Sequence, residues 1–130
     1  MSVAVIDAGV AIGWLQGRHR SLTKLDRLLR AARSGRTEVV ISIVNLAEVL
    51  IHTADLTRAT GVDAITLLTA SRVRLHHPDE AVARRVAKLR TSLADGFAAA
   101  TALELGARLH TTDAELIRQL RGVRLPVTPY

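Results

Sequence analysis

Four acidic residues, Asp7, Glu48, Asp95 and Asp113, stand where buried strands should end or where the following helices should begin. Together they suggest one metal-binding cluster. Hard divalent cations such as Mg²⁺ or Mn²⁺ prefer carboxylate and water oxygens, and they relieve the mutual repulsion of clustered acids. Each acid also has a plainer account. Ser92-Leu93-Ala94-Asp95 and Thr112-Asp113-Ala114-Glu115 both fit a capping box, in which a hydroxyl accepts from a backbone N–H and the acid three residues on reaches back. Glu48 resists that account. It lies in residues 43–51, a segment apolar nearly all the way round, as expected of a helix buried on most sides. A carboxylate there costs on the order of several kcal/mol unless a cation or donors meet it.

The elements that position these acids follow from hydrophobic periodicity. Val3-Ala4-Val5-Ile6 is apolar, largely β-branched, and ends in Asp7. That is the pattern of a central parallel strand delivering a side chain to the sheet's carboxyl edge, where open α/β sheets bind ligands. Leu109-His110-Thr111-Thr112-Asp113 repeats it near the other end. Between them the pattern predicts a short helix over 10–15 and an amphipathic helix carrying Leu22, Leu25, Leu28, Leu29 and Ala32, closed by Gly35. A strand over 38–42 feeds the Glu48 helix. A helix over 56–71 follows despite Gly61, then a strand over 73–75 and a helix over 79–93 with Pro78 just outside it. The Asp95 helix, a strand over 108–111, a helix over 114–120 and a strand over 123–127 complete the chain. Five short strands alternating with helices imply an α/β fold, a mostly parallel sheet covered on both faces. The 130 residues, with no linker, repeat or low-complexity tract, read as one domain, 1–130.

Composition excludes several classes. The longest nearly apolar stretch, 39–51, contains Asn45 and Glu48 and is too short for a bilayer, which needs about 20 residues. No secretory signal is expected, because Asp7 cuts off the N-terminal apolar run. Zero cysteines exclude thiolate metal sites and disulfides and make the cytoplasm the default location. The five histidines form no i, i+4 pair, so zinc is poorly supported. A net charge of +6 favours an anionic partner such as nucleic acid. With Trp14, Phe97 and Tyr130 as the only aromatic rings besides histidine, base stacking is not the means of binding. Phosphate contacts and metal ions would supply the affinity. Trp14 is expected in the core, and Thr101 is expected to bond its own helix carbonyl.

Four segments carry a family resemblance: the hydrophobic run ending in Asp7, Asn45-Leu46-Ala47-Glu48-Val49, the small-residue run from Leu93 through Asp95 to Ala102, and Leu109-His110-Thr111-Thr112-Asp113. The chain resembles a PIN domain, and in length it is similar to the stand-alone VapC-type ribonuclease toxins of bacterial toxin–antitoxin pairs. The resemblance implies a site in which Asp7, Glu48, Asp95 and Asp113 hold one or two Mg²⁺ or Mn²⁺ ions. Asp7 and Asp95 would be direct ligands, Glu48 would ligate through water or orient the nucleophile, and Asp113 would complete the site. It further implies endonucleolytic cleavage of single-stranded or loop RNA, a VapB-type antitoxin as partner, and a homodimer. Thr111 matches the family's hydroxyl two residues before its last acid. The family's Ser or Thr two residues after the first Asp is absent, because Gly9 stands there. Gly9 is the one residue that favours the alternative, a non-catalytic PIN-like module that binds RNA or a partner protein. A phosphotransfer receiver would need an acidic pair beside its Asp, and a haloacid-dehalogenase-type phosphatase would need an Asp at position 9. Neither requirement is met.

Overall fold

Thirteen elements alternate along the chain in the computed structural model, which describes Met1–Tyr130. In order they are β1 (Ser2–Ile6), α1 (Ala8–Leu15), α2 (His19–Arg33), β2 (Thr37–Ser42), α3 (Ile43–His52), α4 (Ala54–Thr60), α5 (Ala64–Ala70), β3 (Val73–His76), α6 (Glu80–Lys88), α7 (Leu93–Glu104), β4 (Arg108–Thr111), α8 (Ala114–Gln119) and β5 (Val127–Pro129). The five strands form one sheet in the order β3-β2-β1-β4-β5, and every pairing is parallel. β1 is central because its run can be buried on both faces: Ala4, Val5 and Ile6 are all buried.

The two-residue period of the strands divides the core into two layers. Ile6, Val39, Ile41 and Val73 face one side and pack with Val10, Leu25, Leu29, Leu46, Val49 and Leu68 of the helices between β1 and β3. Val5, Val40 and Leu109 face the other side and pack with Ala98, Ala99 and Ala102 of α7 and Leu116 of α8. The alanines of α7 let that helix lie close on β1, β2 and β4. Trp14 packs at the margin of the first layer, its indole N–H donating to Asp26 at 2.7 Å.

The structure corrects several boundaries. The helix expected over 56–71 is two helices, because Gly61 adopts φ +73°, ending α4, and Asp63 then caps α5. The helix expected over 79–93 stops at Lys88, since Leu89 is extended and Ser92 caps a new helix that takes Leu93 into α7. The last strand is not 123–127 but Val127–Pro129. Pro126 has no N–H to give, but its carbonyl accepts from the Leu109 N–H of β4 at 2.9 Å, and the ladder runs on from Val127 along the sheet's edge.

α3 is buried along one stripe only. Asn45, Leu46 and Val49 are inside, whereas Ala47 is exposed and Ile51 is 74% exposed. The expectation of a helix buried on most sides, and of a heavy desolvation cost at Glu48, is therefore wrong. Thr101 is buried, yet its hydroxyl has no hydrogen-bond partner and does not bond its own helix. No helix is long and apolar enough to cross a membrane.

Candidate active site

Chain growth reverses at β1. The chain runs outward from β1 to β2 and β3, then returns through α6 and α7 to place β4 on the other side of β1. Adjacent helices therefore diverge from the carboxyl ends of β1 and β4 and leave a crevice there. A cleft of about 310 Å³ occupies that edge, and Asp7, Glu48, Asp95 and Asp113 all line it, with Gly9, Asn45, His52, Ser92 and Thr112 among the others. Four acids far apart in sequence thus share one wall-to-wall space.

Local structure explains how each acid arrives. Asp7 follows β1 directly and caps α1, accepting from the Val10 N–H at 2.9 Å. Its second carboxylate oxygen accepts from the Thr111 hydroxyl, and its backbone N–H donates to the His110 carbonyl at 3.1 Å. Asp7 is 3% exposed. Glu48 lies one turn beyond Asn45 on α3, half-buried. Asp95 stands in the first turn of α7, where the Ser92 hydroxyl accepts from its N–H at 3.3 Å. Asp113 caps α8, accepting from Glu115 N–H at 2.9 Å and Leu116 N–H at 3.2 Å. The cap is thus Asp113 and not Thr112. Glu115, expected to reach back, instead pairs with Arg118.

The acids sense one another. Burial pushes the Asp7 carboxyl up to about 6, against the Thr111 hydroxyl and the Val10 and Thr112 N–H groups that favour its ionised form, and the Asp95 charge adds to the rise. Burial likewise raises Asp95, opposed by the Ser92 hydroxyl and reinforced by Asp113 and Glu48. Outside the cleft, His110 packs edge-on against Tyr130, its Nδ1 3.1 Å from the phenol oxygen. Burial holds that imidazole down near 4, helped by the charges of Arg108 and Lys24.

No three carboxylate or histidine side chains converge tightly enough to hold one ion by direct bonds alone. The donor set nevertheless suits a hard divalent cation. Its ionisable lining is mostly carboxylate, and the buried Asn45 amide oxygen has no partner of its own.

Asn45, His52 and Thr112 escaped the sequence reading as site residues. A signal existed for two of them, because Asn45, Glu48 and His52 are three and four residues apart and share a helix face. Asn45 also ties two site helices together, its Nδ2 donating to the Ala94 carbonyl at 3.0 Å.

A family model described as the PIN domain matches residues 4–121. No curated protein matches the chain by sequence. Among solved structures, the chain is similar to a toxin–antitoxin complex from Klebsiella pneumoniae, with TM-score 0.72, 20% identity, and 98% of this chain and 98% of that chain covered. It is similar to VapBC2 from Rickettsia felis, bound to a DNA fragment from its promoter, with TM-score 0.70, 14% identity and 98% of each chain covered. It is also similar to Mycobacterium tuberculosis VapC20, a sarcin-ricin-loop-cleaving toxin, with TM-score 0.57, 19% identity, and 88% of this chain and 93% of that chain covered. At such identities the likeness is one of fold. The family match takes in four of the five strands, the switch edge and all four acids, and on it the chain belongs to the PIN domain family.

Proposed function

We propose that this chain is a metal-dependent endoribonuclease of the VapC type, the toxin of a type II toxin–antitoxin pair, cutting single-stranded or loop RNA. One observation carries the reading: four carboxylates from four separate elements line one cleft, with Asp7 buried and pushed up to about 6. A protein with no cation to bind would gain stability by losing such a set. The solved relatives named as toxins and toxin–antitoxin complexes support the same reading.

In this reading Asp7 and Asp95 would hold Mg²⁺ or Mn²⁺ directly, Glu48 would ligate through water or orient the nucleophile, and Asp113 would complete the site. A cation held there would supply a lowered pKa for an attacking water and positive charge against that developing on the phosphate. The protein's own residues do the rest. Thr111 holds Asp7 in place, the Asn45 amide fixes the Glu48 helix against the start of α7, and the net charge of +6 draws in the RNA backbone. The domain includes β5 beyond the matched span, because β5 pairs with β4, which gives 1–130. A VapB-type antitoxin is the inferred partner. The exposed apolar Ile51 and Leu93, 74% and 69% accessible, adjoin cleft residues His52, Ser92 and Ala94 and suit a protein covering the cleft. A homodimer working in the cytoplasm belongs to the same reading, and light scattering tests the dimer.

The deciding experiment incubates the protein with total cellular RNA in Mg²⁺, in Mn²⁺ and in EDTA, beside Asp95→Asn, and maps new 5′ ends. Discrete cuts that disappear with EDTA and with the variant are expected. Folded protein that cuts nothing with either ion and binds neither by calorimetry would leave the non-catalytic binding module.

A further inference from the structure

Gly9 stands two residues after Asp7, in the first turn of α1, and its backbone lies outside the left-handed region that favours glycine. The reason for a glycine here is space. A Cβ built on residue 9 would overlap the Thr112 hydroxyl oxygen, and it would lie 3.3 Å from the Thr112 Cβ and 3.6 Å from Asp7 Oδ1. The hydroxyl of Thr112 therefore fills the volume that any side chain at position 9 would need, beside Asp7 and on the wall of the acid cleft. Unlike Thr111, whose hydroxyl is engaged by Asp7 and the Asp113 N–H, Thr112 makes no side-chain hydrogen bond within the protein. Its backbone N–H already favours the ionised form of Asp7.

We propose that Thr112 is a cation-binding group of the cleft, its hydroxyl adding a neutral oxygen to the four carboxylates, and that Gly9 is small because that hydroxyl must fit over it. This rests on the metal reading above. Neutral oxygens are ordinary companions of carboxylates around hard divalent cations. A hydroxyl reaches the place from β4's end instead of from α1, so Gly9 does not leave the cleft short of one.

The test uses Mn²⁺ binding by calorimetry, with thermal unfolding in EDTA as a check that each variant folds. Thr112→Val removes the hydroxyl and keeps the shape, and should weaken Mn²⁺ binding about fivefold or more. Gly9→Ala leaves Thr112 chemically intact but displaces its hydroxyl by rotation, so it should weaken binding to a similar degree. The two changes together should be no worse than either alone, because both remove one interaction. In Gly9→Ser with Thr112→Ala the serine hydroxyl lies one bond beyond the new Cβ, in the vacated space, and most of the affinity should return. Wild-type affinity in Thr112→Val, or losses that simply add in the double variant, would overturn the proposal and leave the metal reading standing. A wild type that binds no Mn²⁺ would overturn both.

Discussion

The hydroxyl of Thr111 donates to the Asp7 carboxylate and accepts from the Asp113 N–H at 2.9 Å, so one side chain couples the acids that β1 and β4 deliver. Thr111→Val should cost about 1–3 kcal/mol, since it leaves a carboxylate and a backbone donor without their partner. Urea unfolding of the metal-free protein measures the loss. The hydroxyl favours the ionised form of Asp7, so the valine variant should also raise the Asp7 pKa further.

Asp7 and His110 give stability opposite slopes with pH. Asp7 titrates near 6 when folded against an ordinary 3.8, so the folded state holds the extra proton between those values. Its contribution is fully present below about 4 and is lost as pH rises through about 6. His110 titrates near 4 when folded against an ordinary 6.5, so the unfolded chain holds the extra proton and stability falls as pH drops from 6.5 toward 4. Asp7→Asn removes the first slope. Without divalent ions, its stability relative to wild type should improve by roughly 2 kcal/mol between pH 4 and pH 7. Chemical denaturation at several pH values reads this directly, and a difference constant with pH would contradict it.

Divalent ions should reverse that advantage. Mg²⁺ at 100 times its dissociation constant should stabilise the wild type by about 2.7 kcal/mol, and Asp7→Asn by much less. The wild-type gain should shrink at pH 5, where protonated Asp7 no longer competes for a cation. Thermal unfolding with and without EDTA checks both statements.

Asn45→Ala should weaken two properties together. Losing the 3.0 Å bond to the Ala94 carbonyl frees α3 from the start of α7, at about 1–2 kcal/mol. Glu48 and Asp95 ride on those two helices, so the Mg²⁺-dependent gain in melting temperature should also fall.

How legible these features were depends on what decides each of them. The strand ending in Asp7 was readable because a run buried on both faces leaves little else for it to be, and the 108–111 strand was readable for the same reason. The cap of α8 was not, because Thr112 and Asp113 both suit that role and the course of β4's end chooses between them. The break after Lys88 was hidden in a stretch with neither glycine nor proline, where the Ser92 cap won over helix continuation. α3 deceived through its apolar residues: Ile51 lies in solvent, and sequence cannot distinguish an apolar side chain bound for the core from one left outside. The four acids line one cleft, whereas the wall that completes it, Gly9 against Thr112, is a contact across the switch point that no local pattern announces.

Asp7 and Thr111 are 104 positions apart, and β1 lies between its neighbours β2 and β4. Loops of that length close late in folding. A nascent chain that has emerged only as far as α7 carries three of the acids yet lacks the strand that bounds their cleft, so the site comes into being only after β4 and Asp113 have followed.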